Sequence, residues 1–206
     1  MTQIEKSELT RRKILAAAES EFSEKGIWGA RIDAIAKSAG VNKRMIYEHY
    51  ESKEKLYKTI LERVYLRLAE YERENYIKNL PPDEAIKNIV EVSFSFLESN
   101  PTFVRILMWE NLNNARYLEA SVASQIKNPT INYIREELRL GKEMGIFSKD
   151  VDEEQMIISL LNFEFSYFSN IHTLSGVLKT NLSDAAEIRK RSSFVSEMLI
   201  KYLKRD

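Results

Sequence analysis

Residues 31–53 of the chain read Arg-Ile-Asp-Ala-Ile-Ala-Lys-Ser-Ala-Gly-Val-Asn-Lys-Arg-Met-Ile-Tyr-Glu-His-Tyr-Glu-Ser-Lys. Two short segments with helical apolar periodicity flank one glycine here, and the first places Ile32 and Ile35 on one face. Gly40 can adopt a positive φ at no steric cost, and Asn42 can cap the helix that follows. The pattern is typical of a helix-turn-helix, a motif whose second helix enters the major groove of DNA.

The second of these helices separates apolar from basic residues. Its apolar side chains are predicted to point inward, which leaves Lys43, Arg44, Tyr47 and His49 facing outward. A charged outer face is ordinarily just solvated, and each residue taken singly has that simple interpretation. Lys43 and Arg44, however, lie at the positive end of the helix dipole, where a cation costs about 0.3–1 kcal/mol. A phosphate or a guanine edge bound there would offset that cost.

The composition predicts an all-α protein of ordinary globular character. Of its 206 residues, 44% are hydrophobic and 30% are charged, and only six glycines and four prolines punctuate the chain. Net charge is zero, but residues 1–60 hold 12 Lys and Arg against 9 Asp and Glu, while the remainder holds 19 against 22. This asymmetry is weak, so charge alone does not decide whether the partner is a nucleic acid.

Cysteine is absent, which excludes disulfides, thiolate zinc sites and thiol redox sensing. The longest apolar run near the N-terminus, residues 14–18, is too short for the hydrophobic region of a signal peptide. Asn162 and Glu164 interrupt the most apolar later segment. We therefore expect no membrane segment and a cytoplasmic location.

Apolar periodicity and capping residues predict about nine helices. The first is expected from about Ser7 to Lys25, and the pair Asn128-Pro129 is expected to interrupt a later helical stretch. We predict an N-terminal three-helix helix-turn-helix head, residues 1–52, that binds DNA. The C-terminal helical-bundle body, residues 53–206, is predicted to bind a ligand and to mediate dimerisation.

The helix predicted to begin after Asp152 is apolar around nearly its whole circumference, and the last helix, from about Asp184, adds a broad apolar stripe. Together they carry more apolar surface than one small bundle can cover. We therefore expect a homodimer in which both helices pair across a twofold axis, with a central helix of a monomeric bundle as the alternative. The predicted interface residues are Phe165, Ser169, His172, Ile188, Val195, Leu199 and Tyr202.

Over residues 9 to about 60 the chain resembles the N-terminal signature of the TetR family of bacterial transcriptional regulators. The matching string runs Gly26-Ile-Trp-Gly-Ala-Arg-Ile-Asp-Ala-Ile-Ala-Lys-Ser-Ala-Gly-Val-Asn-Lys-Arg-Met-Ile-Tyr-Glu-His-Tyr-Glu-Ser-Lys-Glu-Lys-Leu-Tyr57. The resemblance implies an Ω-shaped, all-helical homodimer. Its heads bind palindromic double-stranded operator DNA, and its body binds a small-molecule effector that releases the DNA, with repression as the usual outcome.

Matching positions in this family contact base edges and phosphates. By this match, Lys43, Arg44 and Tyr47 would meet base edges and phosphates, and Lys53 would meet a phosphate. The full set of predicted DNA-binding residues is Arg31, Asn42, Lys43, Arg44, Tyr47, His49 and Lys53. The sequence departs from the family pattern at two places. Ala30-Arg31 stands where members often have a threonine that caps the second helix and touches DNA, and Glu48 replaces a common second aromatic of the recognition helix.

Polar residues within the apolar body are candidates for effector contacts, because buried polar groups require partners. The predicted ligand-binding residues are Trp109, Glu110, Asn113, Asn162, Glu164 and Phe168. An internal hydrogen bond or ion pair would satisfy Glu164 equally well. The stripe formed by Asn162, Phe165, Ser169 and His172 fits a dimer interface as well as it fits a pocket.

The sequence carries no pattern typical of a cofactor, a metal site or a catalytic centre. His49 and His172 are the only histidines, neither has a second histidine four residues on, and the Glu-x-x-His pairs of a di-iron bundle are absent. A Gly-rich phosphate loop and a nucleophile elbow are absent as well. We therefore predict a regulator without a cofactor. The alternatives are a helical adaptor that binds a protein through the same basic helix, and an all-α enzyme.

Overall fold

The computed structural model describes residues 2–118 and 120–204, and the side chains of 2–118 and 129–204. These residues form ten α-helices and no strand, which confirms the predicted all-α class with one more helix than expected. No helix within the described ranges is long and apolar enough to cross a bilayer. The helices are α1 (Gln3–Gly29), α2 (Ile32–Ala39), α3 (Lys43–Tyr50), α4 (Lys53–Asn75), α5 (Pro82–Ser99), α6 (Pro101–Leu112), α7 (Ala120–Glu143), α8 (Glu153–Ser169), α9 (Ile171–Leu178) and α10 (Ala185–Leu203).

The first helix continues beyond its predicted end near Lys25. A capping box starts it, in which Thr2 Oγ1 accepts from the Glu5 N–H and the Glu5 carboxylate accepts from the Thr2 N–H. Gly26 interrupts the helical geometry with φ 62° and ψ 179°. A final turn then runs to Gly29, so the glycine makes a kink inside α1 instead of ending it.

Pro129 lies inside α7, where the sequence predicts an interruption. A proline in a helix interior has no N–H to donate and crowds the preceding turn, at a cost of about 3 kcal/mol. Beyond the proline, Ile134 and Leu138 of α7 are fully buried. The expected interruption was wrong because packing of this apolar face outweighs the local penalty.

The apolar segment predicted as one helix forms two, because Asn170 ends α8 and precedes α9 with a non-helical ψ of 8°. The sequence also predicts that α8 is buried all round. In the single chain it is not, since Ile158 is 49% exposed while Leu160 on the opposite face is fully buried. Part of the apolar surface of α8 therefore remains open.

The chain forms two compact units, one of residues 1–66 and 102–123 and the other of residues 67–101 and 124–206. This division differs from the boundary expected after residue 52. Most of α4 belongs to the first unit and the rest to the second, and nearly all of α6 belongs to the first.

In the first unit, α1 packs on α2 and α2 packs on α3. Phe22 of α1 and Tyr57 of α4 are fully buried, and their rings meet edge to face with centroids 5.0 Å apart. Ile35 of α2 and Ile46 of α3 are buried as well. This core fixes the orientation of α3, so its remaining faces point to solvent.

In the second unit, α5 packs against both α8 and α10. The Phe94 ring of α5 lies 6.0 Å from that of Tyr167 and 5.6 Å from that of Phe168, centroid to centroid. Three residues predicted for the dimer interface belong to this core, since Ile188, Val195 and Leu199 are at most 5% exposed. The prediction is corrected at these positions, because side chains packed inside their own chain are not available to a second copy.

Candidate nucleic-acid interface

The turn between α2 and α3 has the backbone that the sequence predicts. Gly40 adopts left-handed geometry, with φ 66° and ψ 36°, and its N–H closes the last turn of α2. A Cβ at this position would meet no atom within 4 Å, so the turn requires glycine for its conformation and not for space. Asn42 Oδ1 then accepts the Arg44 N–H at 2.9 Å and caps α3.

The two faces of α3 divide as expected. Ile46 and Tyr50 are buried, while Lys43, Arg44 and Tyr47 are exposed, the tyrosine by 40%. The other predicted DNA-binding residues also lie on the surface of this unit. Arg31, Asn42 and His49 are exposed, and Lys53 is half-buried at the start of α4.

Acidic partners hold two of the basic side chains of α3. Lys43 Nζ lies 3.0 Å from the Asp33 carboxylate of α2, and this hydrogen bond raises the pKa of the lysine. Arg44 Nε donates to Glu48 Oε1 at 2.8 Å, one turn along α3. Exposed ion pairs contribute about 0–1 kcal/mol to folding stability, so each basic side chain can exchange its carboxylate partner for another anion at small cost.

Lys53 and Arg31 are tied to the loop before α2. Lys53 Nζ donates to the Ala30 carbonyl at 3.3 Å, and the Arg31 N–H donates to Glu21 Oε1 at 3.1 Å. Arg31 occupies the N-cap position of α2 without making a side-chain cap. The guanidinium is therefore not used in capping, and the departure from threonine at this place leaves a cation on the surface.

Sequence reasoning missed the acidic residues that pair with the basic side chains of α3. Spacing of i and i+4 on one helix is a signal that could have identified the Arg44–Glu48 pair. The Lys43–Asp33 pair joins residues ten apart across the turn, and no helical period indicates it. Only the folded turn brings these two side chains together.

Trp109 and Asn113, predicted as effector contacts, make their contacts inside the first unit. Trp109 Nε1 donates to the Ser23 carbonyl at 3.2 Å, and a Cβ on Gly26 would lie 2.7 Å from its indole ring. Trp28 Nε1 donates to Asn113 Oδ1 at 2.8 Å. These groups join α6 and the segment after it to α1, at the kink that Gly26 makes.

Glu110 is buried in the same unit, at 4% exposure. Its Oε1 accepts the Tyr117 N–H at 3.0 Å. Burial, reinforced by the charge of Glu110, raises the pKa of Tyr65 to about 12 and also raises that of Tyr57. The carboxylate is thus part of the interior polar structure of the first unit, as its internal hydrogen bond shows.

The other three predicted effector residues lie in the second unit, where Asn162 is exposed, Phe168 is half-buried and Glu164 is buried. The structure therefore distributes the six candidates over both compact units. In the second unit Thr130 donates to the buried carboxylate of Glu72, and Tyr76 stacks on Tyr133 with centroids 5.2 Å apart.

Burial and the charges of Glu72 and Glu164 raise the pKa of Tyr76. We name Glu72, Tyr76, Thr130, Tyr133 and Glu164 the acid–phenol cluster. Sequence reasoning found only Glu164 of this set, because it is an acid within an apolar segment. The other four lie in segments of mixed polarity, where a polar side chain is not unusual. Among the described residues, no three acidic or histidine side chains converge as a metal ion would require.

An open groove of about 490 Å³ lies between α8, α9 and α10 in the second unit. Tyr167 shapes its floor by donating to the Leu182 carbonyl at 2.8 Å. Lys190 and Arg191 lie at its basic edge together with Glu187. We name it the α8–α10 groove; its apolar lining consists of Phe163, Tyr167, Leu174, Leu178, Leu182 and Phe194.

Apolar side chains around this groove remain open to solvent in the single chain, with Phe194 56% and Leu178 59% exposed. Four predicted interface residues are also outside the core: Phe165 and Ser169 are half-buried, and His172 and Tyr202 are exposed. The groove itself is lined by other residues, none of which was predicted for the interface.

Two family models match the chain. Residues 14–60 match "Bacterial regulatory proteins, tetR family", and residues 82–199 match "Tetracyclin repressor-like, C-terminal domain". The first match contains α2, α3 and the turn between them. The second covers more than half of the chain and includes α8, α9 and most of α10.

Similar proteins extend over nearly the whole length of the chain. The HTH-type transcriptional repressor NicS of Pseudomonas putida is 29% identical over 98% of this chain and 95% of its own. The HTH-type transcriptional repressor SCO4008 of Streptomyces coelicolor is 30% identical over 75% of this chain and 76% of its own. A crystal structure described as the putative transcriptional regulator SCO4942 from Streptomyces coelicolor has a TM-score of 0.72, with 24% identity, over 92% of this chain and 97% of that one.

Proposed function

The chain belongs to the TetR family of bacterial regulatory proteins, and from this premise we propose that it acts as a ligand-responsive repressor. Members of this family are DNA-binding transcriptional regulators and not enzymes. In the proposed mechanism, a homodimer binds a palindromic operator and leaves it when a small-molecule effector binds. The observation that carries the proposal is the outward face of α3, where Lys43, Arg44 and Tyr47 are exposed.

We place α3 in the major groove of the operator. Lys43, Tyr47 and Lys53 then contact phosphates and fix the register, while Arg44 donates to the O6 and N7 atoms of a guanine. Lys43 and Arg44 give up exposed carboxylate partners to do so, which costs little. Phosphate neutralisation supplies most of the affinity and makes binding steeply dependent on salt.

A second copy of the chain is the proposed occupant of the α8–α10 groove. In an isologous contact the two copies use the same surface, so the exposed apolar side chains of the groove are covered on both copies, here Phe194, Leu178 and Leu174. The rim also suits a self-complementary contact, because Lys190 and Glu187 lie 3.8 Å apart and present both signs of charge. Two heads in one dimer then require a palindromic site.

The acid–phenol cluster is the proposed effector site. It gathers two buried carboxylates and two stacked phenols in the unit that contains α8 and α10. An effector that prefers the conformation with low DNA affinity shifts the equilibrium by its differential affinity, typically about 1–3 kcal/mol. Operator affinity is then expected to fall about 5- to 150-fold.

The DNA-binding proposal is tested by selecting duplexes from a random pool with purified protein and measuring affinity for the selected sequence at several salt concentrations. We expect a palindromic consensus, one dimer per duplex by light scattering, and affinity that falls linearly with salt on logarithmic axes. Absence of any duplex binding, or binding of a monomer to a single half-site, would contradict the proposal.

The effector proposal is tested by screening small molecules for release of a fluorescent operator duplex. Active compounds are then applied to Glu164→Gln and to a control variant, Glu197→Gln, whose carboxylate is exposed on α10. We expect Glu164→Gln to bind the operator normally and to resist release, and Glu197→Gln to behave as wild type. Equal release from both variants would remove Glu164 from the site.

A further inference from the structure

Glu48 is the only carboxylate of α3, and it lies on the face that the proposed mode of binding turns toward DNA. The Arg44 and Glu48 side chains are 85% and 57% exposed, respectively. Their ion pair therefore presents a row of donors and, one turn further along the helix, an acceptor at the same surface. Four residues of helix separate their Cα atoms by about 6 Å along the axis, close to the spacing of two base pairs.

Helix stability accounts poorly for an acid at this position. An exposed i,i+4 pair contributes only a few tenths of a kcal/mol to a helix. On a polyanion the carboxylate is repelled by phosphates and loses water when the groove closes over it. An acid is compatible with tight binding there only if the DNA offers it a hydrogen-bond donor.

We propose that Glu48 determines operator specificity by accepting a hydrogen bond from the exocyclic N4 amine of a cytosine in each half-site. This inference rests on the proposed DNA-binding mode of α3. When the operator binds, Arg44 leaves the Glu48 carboxylate for the guanine edge, and the freed carboxylate oxygen takes the cytosine amine instead. Breaking one ion pair thus supplies both a donor and an acceptor to the major groove.

The chemistry of the base edges selects cytosine over the other bases. An ionised carboxylate only accepts hydrogen bonds, and the cytosine edge offers an amine donor with no acceptor atom of its own beside it. Adenine also offers an amine, but its N7 acceptor lies next to that amine and repels a carboxylate. Guanine and thymine present only acceptors or a methyl group at this edge.

The experiment uses the full-length protein and the consensus duplex selected from a random pool. Affinities are measured by fluorescence anisotropy for the consensus and for duplexes in which each position is replaced symmetrically by the other three bases. The variants are Glu48→Ala, Glu48→Gln and a control, Glu51→Gln. Glu51 follows α3 directly and is exposed. It pairs with Lys55 and not with a basic side chain of α3.

With the wild-type protein and with Glu51→Gln, we expect replacement of one symmetric cytosine to weaken binding about tenfold. With Glu48→Ala, all four bases at that position should bind within about threefold of one another. With Glu48→Gln, the preference should move to adenine, because a glutamine amide matches the N6 and N7 atoms of adenine. Thermal unfolding of each variant verifies that the exposed substitutions leave the fold intact.

One result would overturn the inference while leaving the proposed function in place. If Glu48→Ala binds every duplex more tightly by the same factor and keeps the base preferences of the wild type, the acid acts only through its charge. If the wild-type protein selects no duplex, the DNA-binding proposal itself fails and the role of Glu48 fails with it. The two failures are therefore distinguishable in one experiment.

Discussion

The outward faces of α3 and α10 differ in one respect, an exposed phenylalanine on α10, although both helices bury an apolar stripe in their own unit. The α3 face carries Lys43 and Arg44, each held by a carboxylate. On α10 the outward face carries Phe194, 56% exposed beside an open groove. A surface with charges held by weak pairs fits a polyanion, whereas an exposed aromatic beside an apolar groove fits another protein surface.

The largest effect that tests this comparison is expected from Val195→Asp in α10. Val195 is fully buried, so the variant places an unpaired carboxylate in the core of the second unit, at a cost of about 3–5 kcal/mol. We expect the thermal midpoint to fall by 10 °C or more, or the protein to be insoluble. Circular dichroism during heating measures this. A midpoint near the wild-type value would mean that α10 does not pack on α5 as the structure shows.

The neighbouring substitution Phe194→Asp should separate association from folding. Phe194 is exposed in the single chain, so the variant is expected to fold while the dimer dissociates about 100-fold more readily. Sedimentation measures the dissociation constant, and Ser193→Asp, at the exposed position just before Phe194, serves as the control. A dimer as tight as the wild type would move the interface away from the α8–α10 groove.

These two helices also show what the sequence could predict and why. In α3 the polar residues alternate with the apolar ones at a helical period, so the inward set was predicted from spacing and the structure places Ile46 and Tyr50 inside. In α10 the apolar stripe is also visible in the sequence, but spacing does not show whether that stripe packs inside its own chain or against a second copy. Ile188 and Val195 were therefore predicted for an interface although the chain buries them itself.

Tertiary contacts explain the other differences. The sequence assigned Trp109 to the body because it lies within residues 53–206, but the indole packs on Gly26, more than eighty residues earlier. The kink in α1 exposes the glycine backbone to that ring, and no local pattern reports such a contact. Similarly, the position of Glu72 in the acid–phenol cluster depends on its hydrogen bond with Thr130 of α7, and helix periodicity alone does not reveal it.

A smaller effect divides the basic residues of the DNA-binding face. Lys53→Ala is expected to weaken all duplexes alike and to lower the salt slope by about one, because it removes a phosphate contact. Arg44→Ala should instead lose about 1–3 kcal/mol of discrimination at one guanine position. Anisotropy titrations of the consensus and its single-base variants at three salt concentrations measure both. Identical behaviour of the two variants would contradict the assignment of a phosphate contact to Lys53 and of base recognition to Arg44.

The smallest effect concerns the turn that orients α3. Gly40→Ala is expected to lower the free energy of unfolding by about 1–2 kcal/mol. Alanine is strained at φ 66°, although nothing lies within 4 Å of its Cβ. The matched control is Gly176→Ala in α9, where the site is also open and φ is not positive, so helix propensity should give a gain of about 0.5–1 kcal/mol. Chemical denaturation at one protein concentration measures both.

If the free energy of unfolding falls for Gly40→Ala and rises for Gly176→Ala, the glycine at 40 is required for backbone conformation alone. Operator affinity of folded Gly40→Ala should then stay near that of the wild type, since the strain is borne by the turn and α3 keeps its packing on the core. If the variant instead loses operator affinity while it is fully folded, the turn tilts α3 in the groove. The orientation of the exposed basic side chains of α3 and the packing of its buried stripe would then depend on the same glycine.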